Sequence, residues 1–498
     1  MTPLQPLLLT PLADLATLAL ADFATQCGAK LAAGERLVTL FGRPAAATDA
    51  PGVLLTAVFQ PAGAALTLLR GHGLPGSHYP SLATSFPAAQ IFERELWEQT
   101  GLVPQGHPWL KPVRFEGARQ EHLTDYRFFK VRGAEVHEVA VGPIHASVIE
   151  PGHFRFMCHG EQVHHLEIQL GYQHRGVEGL LLQRPAWRLT PLVESICGDS
   201  AVAYAWAHCA ALEALAGQPP SPAVAMSRAI ALELERVAMH VATLNGMATD
   251  IAFLQGAATY GRLRTAIINA SQRACGNRFG RGWLRPGTAS PVTDALRQDL
   301  LQTLNAFAPH FAEVNQLMLS ARSVAARLKG TGVLTTQAAR ELGVTGVTGR
   351  ASGVALDARC QLPGAVYAAH PLPMLTEPGG DCWARMTQRM REVETSVAWL
   401  LQRLGDNALD LAALPAPLSM APPPLGPNTL CISLIEGTRG PVLHALETDA
   451  QGALRHYKVQ GPSLANWFGE AVAVRNNGIS DFPICNKSFD FSYCGNDL

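Results

Sequence analysis

The stretch "AMSRAIALELERVAMHVATLNGMATDIAFL", Ala225 to Leu254, decides how this chain is read. Its apolar residues recur at i, i+3, i+4 and i+7 over many turns, the period of a helix and not the alternation of a strand. Inside it, "LELERVAMH" places Glu233, Arg236 and His240 on one helix face. Charges in so apolar a helix need partners, because burial strips their hydration. Two readings stand side by side: a buried salt-bridge network, or a polar chain running through a helical bundle. Outward from this point the helical pattern covers about residues 175 to 405 and recurs strongly in "CWARMTQRMREVETSVAWLLQRL", 382–404.

The flanks read differently. Residues 1 to about 130 open with an apolar stretch, 1–24, that lacks a basic leader and contains Asp14 and Asp22. It reads as an ordinary helix and not as a signal peptide. Short apolar runs follow ("GVLLTAVFQ", "AALTLLRG"), then an amphipathic helix behind Pro87 that carries Glu93, Arg94, Glu95 and Glu98. Residues 139–175 are strand-rich, with period-two alternation through "HFRFMCHG". A Pro-rich linker, "LPAPLSMAPPPLGPNTL", leads to a last strand-rich piece, 428–498, with a hairpin turn at Asp449 to Gly452. The expected fold class is α+β. A small N-terminal α/β domain (1–130) precedes a mainly helical-bundle core flanked by small antiparallel sheets (139–498, its bundle at 176–405).

Composition narrows the function. Charged residues are 16% of the chain and hydrophobic ones 48%, against about 25% charged in an ordinary soluble domain; such a chain expects to bury surface against partners. The balance of 39 basic and 40 acidic residues excludes a nucleic-acid footprint. No apolar run is long enough to span a membrane; the nearest, "SAVAYAWAHCAALEALAG", contains His208 and Glu213. A cytoplasmic location is expected. The 10 cysteines are too few for a disulfide scaffold and none forms a CxxC pair, so most are expected to be buried and inert.

Several clusters are candidates for chemistry. "GPIHASVIEPGH" sets His145 after a Gly-Pro turn, with His153, His159, His164 and His165 following. Adjacent His164 and His165 point to opposite faces of a strand, which weakens a zinc reading and leaves a cavity-lining loop histidine. "GYQHRGVEG" groups His174, Arg175 and Glu178 between glycines, as a surface pair or a close backbone approach. Gly-rich loops carry Arg278, Arg281, Arg285, Arg350, Asp357 and Arg359, suited to an anion or to bracing the bundle.

Taken together these blocks resemble one family. "HYPSLATSFPAAQIFERELWEQTGLVPQGHPWL" is similar to the small hydrophilic subunit of respiratory complex I. "GPIHASVIEPGHFRF", "GYQHRGVEG", "LELERVAMH", "RASGVALDAR", "GGDCWARMTQRMREVE" and "PSLANW" resemble the large subunit of energy-converting [NiFe]-hydrogenases, itself homologous to the complex I quinone-site subunit. Fusion of both parts matches the formate hydrogenlyase and hydrogenase-4 type. The resemblance implies a subunit of a membrane-associated, proton-translocating redox complex. It implies a small [4Fe–4S] subunit, a ferredoxin-like subunit and antiporter-like membrane subunits as partners, and a peripheral position on the cytoplasmic side of the cell membrane.

The family holds nickel and iron through two CxxC pairs. Here the early motif falls at "ESICGDS", with Cys197 and, in the second ligand position, Ser200. The late motif falls at "SFDFSYCGNDL", 488–498, with Ser492 and Gly495 at the ligand positions and Cys494 between them. Serine is a poor substitute for a soft thiolate. The resemblance therefore implies a version without the metal centre, with Cys494 either packed in the vacated site or standing there as a solvent-accessible thiol. No cofactor is expected on this chain itself, and quinone is a possible ligand. The quinone-contacting histidine corresponds to His145. The region of the family's tyrosine, "RPAWRLTPLV", offers only Trp187, which has no phenolic proton to give. The alternative function is a non-redox structural coupler in an ion- or bicarbonate-handling complex, and the remaining one an active hydrogenase. Cys197 and Cys494 are expected to share one bundle interior, and Glu178 and Arg236 to face inward with charged partners as members of the chain Glu178, Glu233, Arg236, His240.

Overall fold

In a computed structural model, which describes residues 4–45, 51–116, 122–146, 149–406, 408 and 410–498, four long helices form the central bundle. They are Pro222–Asp250, Leu254–Cys275, Asp294–Ser320 and Cys382–Gly405. The first starts as helix chemistry dictates: the Ser221 hydroxyl accepts from the Val224 amide at 3.3 Å, and Pro222 occupies the position where a missing N–H costs nothing. It packs against the second and fourth helices and against the helix Phe482–Phe489.

A four-stranded antiparallel sheet flanks the bundle, in the order Leu7–Pro11, Thr429–Glu436, Pro441–Thr448, Leu454–Gln460. A three-stranded antiparallel sheet, Val136–Val141, His153–His159 and Gln162–Gln169, lies nearer the C-terminal helices, with Phe154, Phe156 and Cys158 turned into the core. The N-terminal unit has its own mixed sheet, in the order Thr17–Ala19, Thr67–Gly73, Val53–Gln60, Arg36–Pro44. The helices Leu20–Ala32 and Gln90–Thr100 accompany it.

Three expectations change. The chain opens with a strand, not a helix: Pro6 and Pro11 bracket "LLLT", and the run pairs with Thr429–Glu436 of the larger unit. The helix begins only at Leu20. At the other end, strands stop at Gln460, and Ser463–Ala473, Phe482–Phe489 and Cys494–Asp497 are helical. Leu464, Trp467 and Ala471 recur there at helical spacing and are buried. Third, the helix Gln90–Thr100 is not amphipathic in the ordinary sense, for Glu93, Arg94, Glu95 and Glu98 are all buried. Glu93 accepts from the Leu82 and Ala83 amides and the Ser81 hydroxyl, and Glu98 from the Val113, Arg114 and Glu116 amides. Their carboxylates thus satisfy loop amides that water cannot reach.

Glu95 joins the two units. It pairs with Arg114 and, at 2.6 Å, with Lys458, which also reaches Glu178 at 3.1 Å. Burial opposes ionisation of Glu95, but Lys458 and Arg114 outweigh it and hold its carboxyl below the usual 4.5. Its contribution to stability is therefore complete above pH 4.5 and is lost as pH falls toward the depressed value. Lys458→Met leaves two carboxylates without their shared cation, and its expected cost is about 3–5 kcal/mol. Lys30→Met, which breaks a partly exposed pair with Glu35 at 3.0 Å, should cost less than about 1 kcal/mol. Thermal unfolding of both variants followed by circular dichroism checks the ranking; equal midpoints would refute it.

Candidate functional site

Cys197 sits in the turn between the helices Thr190–Val193 and Ala201–Leu215, and Cys494 opens the last short helix. The two segments meet. Ser492 Oγ lies 3.2 Å from Cys197 Sγ and 3.5 Å from Cys494 Sγ, and the thiols interact with each other. The Cys197 thiol donates to Asp199 at 3.1 Å. The facing Cys494 thiol, with burial, raises the Cys197 thiol well above its ordinary range, while the facing Cys197 side chain lowers Cys494 against burial. Cys197 is buried and Cys494 only half-buried.

The surroundings are ionic. Arg439 binds Asp199 through two hydrogen bonds of 2.8 and 2.7 Å, reaches Asp490 at 3.2 Å and donates to the Asp490 carbonyl. Burial works against the Asp199 carboxylate, but Arg439 keeps it below its usual range. The Cys494 amide donates to Glu150 at 2.9 Å. None of Asp199, Arg439, Asp490 or Glu150 carries a signal in the sequence, since their pairing crosses the whole chain. "GYQHRGVEG" holds the final residues: the Gly171 and Gln173 amides donate to Asp497, the Arg175 amide to the Leu498 carbonyl, and the Arg175 guanidinium to the carbonyls of Ile196 and Cys494.

The four positions that the resemblance assigns to metal ligands carry a thiol (Cys197), two hydroxyls (Ser200, Ser492) and no side chain (Gly495). Ser200 Oγ faces Thr438 at 3.3 Å. A Cβ on Gly495 would stand 2.8 Å from Ser492 Oγ and 3.1 Å from the Tyr204 hydroxyl, so a side chain there requires the Ser492 hydroxyl to shift. Among the described residues no group of three or more His, Cys, Asp or Glu side chains has the geometry to hold a metal ion. This donor set does not fit a centre built on four soft thiolates.

His145 stands on the loop between the first two strands of the three-stranded sheet; Ser147 and Val148 of that loop lie outside the described residues. Its Nε2 contacts the Gly152 carbonyl at 2.7 Å, and its ring lies 5.9 Å from Phe154. Phe154 in turn meets Tyr493, next to Cys494. Trp187 is half-buried on the turn Ala186–Arg188. No hydrogen bond or ring contact joins it to His145 among the described residues.

Glu233, Arg236 and His240 enter one buried network, but Glu178 does not. His240 pairs with Glu392 (2.9 Å), Glu392 with Arg350 (2.8 Å), and Arg350 with Glu436 (2.7 Å). Arg359 joins Asp357 (2.7 Å) to Glu233 (3.0 Å), and Glu233 meets Arg236 at 3.3 Å. Arg236 donates to the Glu436 and Gly437 carbonyls, beside Thr438 and Arg439, so the network ends against the thiol site. Glu178 belongs instead to the Glu95–Lys458 group at the junction of the two units. Arg350, Asp357 and Arg359 thus brace the bundle, the second of the two roles open to them, and Arg285 pairs with Glu194 at 2.9 Å. An apolar cavity of about 590 Å³ opens beside this network, lined by Trp206, Met226, Leu232, Leu362, Tyr367 and Leu434; no cysteine lines it.

Fold and site together define a hydrogenase-large-subunit-like bundle carrying a small α+β unit and a thiol-bearing C-terminal turn. Residues 250–410 match the family described as the respiratory-chain NADH dehydrogenase 49 kDa subunit, and residues 67–121 its 30 kDa subunit. Formate hydrogenlyase subunit 5 of Escherichia coli (strain K12) is 29% identical over 445 residues, covering 84% of this chain and 77% of the relative. The NADH-quinone oxidoreductase C/D protein of Bacteroides thetaiotaomicron is 27% identical over 426 residues, covering 77% and 79%. The fold is shared with a chain in the structure of the membrane-bound sulfane sulfur reductase, an archaeal respiratory membrane complex. That chain has a TM-score of 0.68 at 21% identity and covers 73% of this chain and 99% of its own length. The chain thus carries complex I 30 kDa and 49 kDa domains and is homologous to formate hydrogenlyase subunit 5, hydrogenase-4 component G and the NADH-quinone oxidoreductase C/D fusions. No helix of the described residues is long and apolar enough to cross a membrane.

The network gives a pH prediction. Burial, only partly offset by Glu392, pushes the His240 imidazole down to about 4 from 6.5. The unfolded chain therefore binds a proton that the folded one refuses between pH 6.5 and 4, and stability falls as pH drops through that window. The full contribution is on the order of 3 kcal/mol. His240→Gln, which keeps a donor for Glu392, should flatten the decline in thermal midpoint between pH 7 and 4.5. An unchanged slope would mean that His240 titrates normally.

Proposed function

We propose that this chain is a peripheral subunit of a membrane-associated, proton-translocating redox complex related to complex I and the energy-converting hydrogenases, with no nickel–iron centre of its own. The carrying observation is the constellation at Cys197, Ser492 and Cys494, where two thiols share one hydroxyl and a side chain at Gly495 would displace that hydroxyl. The partners in this reading are a small [4Fe–4S] subunit, a ferredoxin-like subunit and antiporter-like membrane subunits, assembled on the cytoplasmic side of the membrane. A quinone or another small acceptor would approach by the His145 loop. There the imidazole is already anchored to the Gly152 carbonyl; Trp187, on a separate turn, would offer a stacking face and one N–H donor.

The second reading, a non-redox coupler, is favoured by the buried network that runs from His240 to Arg236 and ends beside Arg439. Such a line of coupled charges can transmit a rearrangement without any electron transfer. Elemental analysis of the purified native complex by plasma mass spectrometry separates the readings. Iron without nickel is the expected result. Nickel near one per chain would overturn the proposal, and absence of both metals would leave the coupler.

A further inference from the structure

We propose that Cys494 and Cys197 form a redox-active dithiol whose substrate class is a small-molecule disulfide, at the position where hydrogenase relatives are expected to bind metal. The inference rests on the reading that this position holds no nickel–iron centre.

The geometry is that of a working pair and not of two packed cysteines. Both sulfurs converge on Ser492 Oγ, at 3.2 and 3.5 Å, although Cys197 and Ser492 are 295 residues apart in the chain. Their environments differ as an attacking and a resolving thiol require. Cys494 is half-buried and so open to a substrate, whereas Cys197 is 2% exposed and donates to Asp199. Asp199 stays a carboxylate because Arg439 binds it through two hydrogen bonds. The pair therefore contains a nucleophile, a hydroxyl that stabilises its thiolate and a second thiol facing the same hydroxyl. The other close pair, Cys382 and Cys485, shows the contrast. Its thiols also interact, beside Arg385, but they are 0% and 1% exposed, so no substrate reaches them.

The step balances. The Cys494 thiolate attacks one sulfur of the substrate disulfide, breaking its S–S bond, expelling one thiolate and forming a mixed disulfide. The first expelled thiolate takes the Cys197 proton, and the Cys197 sulfur attacks Cys494 Sγ, expelling the second thiolate. A solvent proton on that thiolate leaves two substrate thiols, while the protein dithiol has become one disulfide. Two electrons and two protons restore the dithiol, the electrons coming one at a time from a reduced iron–sulfur protein.

The test uses the full chain in its native complex, pre-reduced, treated anaerobically with hydroxyethyl disulfide, then alkylated and peptide-mapped, with nickel determined on the same sample. The expected result is two mercaptoethanol molecules released per chain and the loss of two alkylatable thiols out of 10, mapped to a Cys197–Cys494 crosslink. Cys197→Ser should release one molecule and retain the other as a mixed disulfide on Cys494. Cys494→Ser should slow release at least tenfold. Cys197 and Cys494 both remaining alkylatable in the wild type would overturn the dithiol whether or not the variants fold, as would exchange no faster than at half-buried Cys275 and Cys360. Nickel near one per chain overturns both readings, whereas no nickel and no exchange overturns the dithiol alone.

Discussion

The structure turns on Arg439. One guanidinium draws together the Cys197 turn through Asp199, the C-terminal segment through Asp490 and the loop between two sheet strands on which it stands. These three segments have no sequence proximity, and they meet beside the aromatic cluster of Trp467, Phe489, Phe491 and Tyr493. Without the cation, Asp199 and Asp490 would be like charges packed side by side. Asp199 is partly exposed and Asp490 keeps Lys487 at 3.0 Å, so loss of the cation is tempered by solvent at one carboxylate and by a second cation at the other. Arg439 ties the Cys197 turn to the segment before Cys494, and the contacts of Gly171, Gln173 and Arg175 hold the residues after it.

The same principle runs through the molecule. The chain has few charged residues for its length, and many of them are inside: Arg228 with Glu213, Arg350 with Glu392 and Glu436, Lys458 with Glu95. Buried ion pairs add little net stability over apolar packing, but they tolerate few alternative arrangements, because every misplacement leaves a bare charge. The network from His240 to Arg236 holds the guanidiniums of Arg236, Arg350 and Arg359 against the carboxylates of Glu233, Asp357, Glu392 and Glu436. Burial and the adjoining Asp357 raise Glu436 above the ordinary carboxyl range, while Glu392 is held well below it, mainly by Arg350.

Much of this was legible in the sequence where a local period carried it. The long bundle helix, the shared face of Glu233, Arg236 and His240 and the hairpin after the Pro-rich linker all follow from spacing within a few turns. What escaped was non-local. The pairing of Leu7–Pro11 with Thr429–Glu436 depends on a partner more than 400 residues away, so the opening apolar run passed for a helix. The final helices were hidden because the strand pattern before Gln460 dominated its neighbourhood. Glu178 looked like part of the bundle's polar chain, yet its partner is Lys458, on a strand, and no spacing rule connects them. Cys197 and Cys494 could be placed together only through resemblance to relatives, and the carboxylates and arginine that surround them carry no local signature at all.

The crowding at Gly495 ties that position to its neighbours. A Cβ there would stand 2.8 Å from Ser492 Oγ and 3.1 Å from the hydroxyl of Tyr204, which is itself buried in the helix Ala201–Leu215. A side chain at 495 therefore requires the Ser492 hydroxyl to turn aside, and that hydroxyl is the one both thiols face. A substitution at this position acts on the two thiols through that hydroxyl, without touching either sulfur itself.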